Sequence, residues 1–93
     1  MIATINSATI KGKIYFRPRK PGDRIFFGGM TREVSKLAAV LTGEPEERKN
    51  YPVLCDEKGV LWVPGYPVRD DAKPTDEETN IYVMIGGADH ELP

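Results

Sequence analysis

The densest concentration of side chains able to do chemistry is the run Arg17-Pro18-Arg19-Lys20-Pro21-Gly22-Asp23-Arg24, where four cations surround a Pro-Gly-Asp turn. Gly22 relieves backbone strain at such a bend, and Asp23 can accept hydrogen bonds from nearby amides to fix it. Guanidinium groups present forked donors that match phosphate oxygens, so a loop held rigid by its own turn would aim Arg17, Arg19, Lys20 and Arg24 as a phosphate clamp. For Asp23 and Arg24 an equally direct reading is structural: a turn-stabilising carboxylate and its ion-pair partner. Just upstream, Lys11, Lys13, Tyr15 and Arg17 alternate with Ile10, Gly12, Ile14 and Phe16. A period of two predicts a half-buried strand whose outward face carries three cations and the tyrosine beside the loop.

Other chemistries find little support. A glycine-rich phosphate loop opening a helix would read GxGxxG or GxxxxGK[ST], and neither occurs; Gly28-Gly29 is the nearest approach, and a tight turn is its more ordinary explanation. Nucleophilic catalysis needs a thiol or hydroxyl beside a base, yet the single histidine, His90, stands near the chain end and the single cysteine, Cys55, closes an apolar run. Cys55 reads as a small buried hydrophobe, and one cysteine with one histidine makes neither a disulfide nor a structural zinc site. The acidic clusters Glu44, Glu46, Glu47 and Asp76, Glu77, Glu78 lack an apolar setting and read as solvated loops.

The elements that must position the basic groups follow from periodicity and punctuation. A short strand around Ala3 to Ile5 turns near Asn6-Ser7 to pair with the strand ending at Arg17, where Pro18 and Pro21-Gly22 stop it. Thr31 caps a helix over about residues 32–42, with Val34, Leu37, Ala38 and Leu41 as its apolar stripe, Gly43 as its stop, and Arg32 and Lys36 outside the stripe. GEPEERKN is read as a loop containing Arg48. Tyr51 to Cys55 and Val60 to Val63 form a hairpin around Asp56-Glu57-Lys58-Gly59, with Trp62 in the core. A last strand over Ile81 to Ile85 precedes a tail expected to fray. The sum is an α+β domain: a small, mainly antiparallel sheet or two-layer β-sandwich with one covering helix.

Ninety-three residues, 40% hydrophobic and 29% charged, set one small soluble domain, residues 1–93, with a thin core. No run approaches the roughly 20 apolar residues that cross a bilayer, and no secretory signal opens the chain, so a cytoplasmic location without membrane contact is expected. The net charge of −1 hides a division: residues 11–36 carry eight basic groups against two acids, and residues 37–93 five against twelve. A concentrated positive front suits a polyanion such as a nucleic-acid backbone, while a solvated surface is the ordinary reading of charged strands.

Taken in order, RPRKPGDR at 17–24, Gly29-Met30, Ser35-Lys36-Leu37, Arg48 with Pro52-Val53-Leu54, VLWVPG at 60–65 and Thr79 resemble the C-terminal domain of bacterial tRNA(Ile)-lysidine synthetases. The likeness covers about residues 10–86. The resemblance implies a tRNA-contacting module, related also to part of the phenylalanyl-tRNA synthetase β chain, that helps hold the acceptor end of tRNA. It implies that Arg17, Arg19, Arg24, Lys36 and Arg48 are tRNA contacts and that Gly22 and Asp23 shape the loop; Lys11, Lys13 and Lys20, from the reading of the basic strand and loop, join them as candidate contacts. The sequence departs from the family pattern in having Ser35 where a lysine is common and a shorter segment leading to Arg48. In that family the full enzyme uses ATP to attach lysine to an anticodon cytidine of an isoleucine tRNA. ATP, magnesium and lysine would belong to an N-terminal catalytic domain whose SGGxDS loop is absent here, so no cofactor and no catalytic residue is expected in this domain. With Met1 close to the start of the matching region, a piece of a longer enzyme is expected rather than a free-standing relative.

Two functions of different class therefore compete. One is a non-catalytic RNA-binding domain; the other is a structural domain whose basic face docks on the catalytic half of its parent. A free-standing enzyme ranks last for want of a catalytic constellation.

Overall fold

The computed structural model describes residues 1–75 and 80–84, and within them the chain is an α+β domain built on antiparallel pairings. Seven strands and two helices follow one another: β1 (Ile2–Asn6), β2 (Tyr15–Pro18), β3 (Arg24–Phe27), β4 (Met30–Glu33), α1 (Val34–Leu41), α2 (Pro45–Lys49), β5 (Pro52–Asp56), β6 (Gly59–Trp62) and β7 (Asn80–Met84). The central sheet has the order β2-β5-β6; β1 pairs with β7, and β3 with β4. Thr79, the acidic cluster 76–78, His90 and the tail lie outside the described residues.

β5 and β6 form the expected hairpin, and their apolar runs are continuous because both faces of the sheet are covered. Leu54 and Trp62 turn to a cluster with Ala3, Ile5, Leu61, Val68 and Ala72, on the side of the β1–β7 ribbon. Val53, Cys55 and Val60 turn to a second cluster with Ile25, Phe27, Val34 and Val63, under the β3–β4 hairpin and α1. The ladder slips by one residue between Leu54 and Cys55, and the bulge lets the consecutive residues Leu61 and Trp62 join the same cluster. Trp62 is buried, as expected, with its indole N–H donating to the Tyr66 carbonyl at 2.9 Å, and Cys55 is fully buried. Each fully buried leucine here contributes about 1.5–3 kcal/mol.

Four expectations are corrected. The alternation from Ile10 to Arg17 is not one strand: only Tyr15–Pro18 joins the sheet. Gly12 stands at φ +72°, where a β-carbon would collide with the Glu57 carboxylate, and Lys11 is tied by its own backbone to the β5–β6 turn. β1 pairs with β7 rather than β2, because Asn6 caps a short 3-10 turn over Ser7–Thr9, accepting from the Ala8 amide, and this diverts the chain. Thr31 does not cap the helix. It pairs with Phe26 in the β3–β4 ladder, which runs to Glu33, so α1 begins only at Val34, whose amide donates to the Asp23 carbonyl at 3.0 Å. GEPEERKN contains a helix: α2 has Pro45 at its first position, Glu46 and Glu47 in the first turn, and Arg48 and Lys49 in the last. Those are the terminal preferences of helices, and one turn is too short to show apolar periodicity.

Candidate nucleic-acid interface

β2 is an edge strand, and its exit at Pro18 launches the basic loop. The loop is rigid for a reason the sequence half disclosed. Arg17 forks onto Asp23, Nη1 to Oδ2 at 2.8 Å and Nη2 to Oδ1 at 3.0 Å, while Asp23 Oδ2 also accepts from the Lys20 amide at 2.7 Å. The Asp23 amide closes the turn onto the Lys20 carbonyl, and Gly22 takes φ +87° with open space around it. Asp23 is thus the turn-stabilising carboxylate, but its ion-pair partner is Arg17, not Arg24. The Asp23 hydrogen bonds raise the Arg17 guanidinium pKa. Burial pushes the Asp23 carboxyl up, and Arg17 with the Lys20 amide outweighs it and holds the group below the usual carboxylate range.

Arg19 and Arg48, two predicted contacts, meet each other through the backbone: Arg19 Nε donates to the Arg48 carbonyl, and the Arg19 amide to the Tyr51 carbonyl at 2.8 Å. They fasten the loop to α2, and the buried Arg48 Nε has no hydrogen-bond partner among the described residues. Lys36 is exposed on α1, 3.9 Å from Glu33. Lys11, Lys13, Lys20 and Arg24 are exposed, and among the described residues no carboxylate lies within ion-pair distance of any of them.

The predicted cations do not gather at one bend. Lys11 is anchored at Asp56 and Glu57, beyond one end of the β2–β5 ladder, and Arg19 at Tyr51, beyond the other. At the rise of an extended strand those anchors stand about 17 Å apart. The result is a basic margin along the sheet edge rather than a compact clamp.

Among the described residues, the ion-paired carboxylates of the acidic half, Asp56, Asp70 and Asp71, take cations of the same half. Asp56 takes both ends of the Arg69 fork, at 3.0 and 2.8 Å, and accepts from the Lys11 and Lys58 amides. Burial raises its pKa, but Arg69 with the two amides prevails and holds the carboxyl at about 2. Arg69 also reaches Asp71 at 2.6 Å, and Lys58 reaches Asp71 at 2.9 Å. The Gly28 and Gly29 amides, considered above for a phosphate, hold the Asp70 carboxylate at 2.9 and 2.8 Å, and Lys73 lies 3.2 Å from the same group. Among the described residues no carboxylate from beyond α1 forms an ion pair with a cation of residues 11–36. Sequence reasoning missed Arg69 and Asp56 as a pair. They are 13 residues apart, and no spacing rule links a turn residue to a polar connection.

The described residues form a small antiparallel α+β domain, and among them the exposed cations of its basic edge have no ion-paired carboxylate. Comparison with known proteins makes it particular. The chain belongs to the TilS substrate C-terminal domain family, whose model matches residues 14–85. It is 33% identical over 76 residues to a tRNA(Ile)-lysidine synthase of Clostridioides difficile (strain 630), covering 82% of this chain and 16% of that protein. It is 40% identical over 47 residues to a tRNA(Ile)-lysidine synthase of Deinococcus deserti, covering 50% of this chain and 9% of that protein. The fold matches a crystal structure of a TILS C-terminal domain with a TM-score of 0.72 at 21% identity, over 87% of this chain and 65% of that one. The chain thus spans under a fifth of the length of these curated relatives.

Proposed function

We propose that this is the tRNA-binding domain of a tRNA(Ile)-lysidine synthase, positioning tRNA(Ile) while a separate catalytic domain uses ATP and lysine to modify an anticodon cytidine. Family membership supports the parent activity, and a cytoplasmic setting goes with it. The observation that carries the binding role is the exposure of Lys11, Lys13, Lys20 and Arg24 with no ion-paired carboxylate among the described residues. A-form RNA hides its major-groove base edges in a deep, narrow groove and is met chiefly through phosphates and ribose hydroxyls, so a spread of point charges reads its shape rather than its sequence. The acceptor end is the region proposed for contact.

The test is binding of labelled tRNA to the domain by fluorescence anisotropy. Replacing Lys13 and Lys20 together by glutamate is expected to weaken binding at least about tenfold at low salt, because each reversal removes a phosphate contact and adds repulsion. Both positions are exposed and have no ion-paired carboxylate among the described residues, so the fold survives. Unchanged affinity would reject the proposal.

A second reading rests on Val40, 79% exposed, and Leu41 beside it on α1, an apolar pair suited to docking on the parent's catalytic half. Capture of that half by a chain with no affinity for tRNA would select it.

A further inference from the structure

Between the β3–β4 hairpin and the β5–β6 turn lies an open cleft of about 300 Å³ that none of the predicted contacts except Arg24 anticipates. Its floor includes Ile25 and Val60, both buried, and its margin includes Arg24, Phe26, Lys58 and Arg69. The hairpin register places Phe26 opposite Thr31 and Arg24 opposite Glu33, so Arg24, Phe26 and Thr31 share one face. Phe26 is 45% exposed, an unusual position for a ring that could have joined a core this thin. In the same lining, Arg69 is held fast between Asp56 and Asp71, and Asp71 in turn holds the Lys58 ammonium. The cation side is therefore preorganised, while Arg24 on the hairpin side has no ion-paired carboxylate among the described residues.

We infer that this cleft takes one unpaired nucleotide of an RNA strand, its base stacked on Phe26 and its phosphate between Arg24 and Lys58. The inference rests on the tRNA-binding reading and adds a subsite to it. An apolar floor and an exposed ring have nothing to gain from a duplex, whose bases are already stacked, whereas a splayed base brings its own face. Pocket size agrees: about 300 Å³ is the lower end of small-ligand clefts and suits one nucleotide rather than several. Charge agrees as well: Asp56 and Asp71 balance Arg69 and Lys58, which leaves Arg24 as the surplus positive charge among the described lining residues.

The probes are a fluorescein-labelled single-stranded RNA tetranucleotide and a blunt RNA duplex, with full tRNA alongside. Phe26→Ala is expected to lose about tenfold in affinity for the tetranucleotide and nothing for the duplex, stacking being the term removed. Phe26→Trp is expected to keep the affinity, and its emission to be quenched as the base stacks, over a constant background from buried Trp62. Lys58→Gln is expected to weaken the tetranucleotide and flatten its salt dependence, which Phe26→Ala leaves unchanged. The inference is overturned if the parent fails to bind the tetranucleotide, or if Phe26→Ala binds it as the parent does. Should that happen while the Lys13 and Lys20 double reversal still weakens tRNA, the subsite alone falls. If the double reversal also has no effect, the tRNA-binding reading falls with it.

Discussion

Arg17 looks like the best phosphate ligand in the chain and is the one most fully engaged by the protein itself. Its fork closes on Asp23 with the side chains 20% and 13% exposed. Asp23→Ala is therefore expected to cost about 1–3 kcal/mol of folding stability, measured by urea unfolding, since it strands a charged hydrogen-bonding partner. A stability change within a few tenths of a kcal/mol of zero would mean the loop is held by other means. Asp56 makes the complementary point about pH. Its carboxyl titrates at about 2 in the fold against 3.8 unperturbed, so its contribution is fully present above the unfolded value and is lost as pH falls through the folded one. About 2 kcal/mol of stability should disappear between pH 4 and pH 2, with the Asp23 and Asp71 carboxyls, also depressed, adding to the same acid limb. Carboxyl chemical shifts followed by NMR check the assignment; an Asp56 midpoint near 4 would contradict the buried pair.

At the scale of elements, the instructive pieces are the ones whose signals had two meanings. The hairpin of β5 and β6 was legible because a polar, glycine-ended turn separates two apolar runs, and burial on both faces agrees with their lack of alternation. Gly28-Gly29 was ambiguous between an anion site and a two-residue hairpin turn, and it is both in part. φ values of +64° and +79° match the turn that two positive-φ residues permit, and the amides hold an internal anion, Asp70. Gly29→Ala should then cost about 1 kcal/mol by strain alone, because no neighbour among the described residues lies within contact of the added carbon. Asp70→Ala should leave the core intact but speed amide exchange at Gly28 and Gly29, as the hairpin tip loses its tether. The alternation of residues 10–17 misled because Ile10 and Ile14 pack against the core from an irregular segment. Two-residue spacing records burial on one side, and a tethered loop can produce it as well as a strand.

For the whole molecule, the charge division seen in the sequence survives folding in an altered form. The basic front and acidic back were both legible, and what no composition argument reached was how the acids would be used. Asp56, Asp70 and Asp71 hold Arg69, Lys73 and Lys58, which leaves the early cations uncompensated by them, while the anticipated clamp opens into a margin about 17 Å long by strand rise. Side-chain pairing across long separations decides such outcomes, and neither periodicity nor motif order encodes it. If the margin meets RNA phosphates, binding is driven by counterion release and its strength is set by salt. The measurement that bears most directly on this is the affinity of the domain for tRNA across a series of salt concentrations. With about four phosphates neutralised, the logarithm of affinity should fall against the logarithm of salt with a slope of about −3 to −4, and reversing Lys13 and Lys20 should flatten it to about half. A slope near zero, or a steep slope that the double reversal leaves untouched, would contradict an electrostatic tRNA interface on this edge.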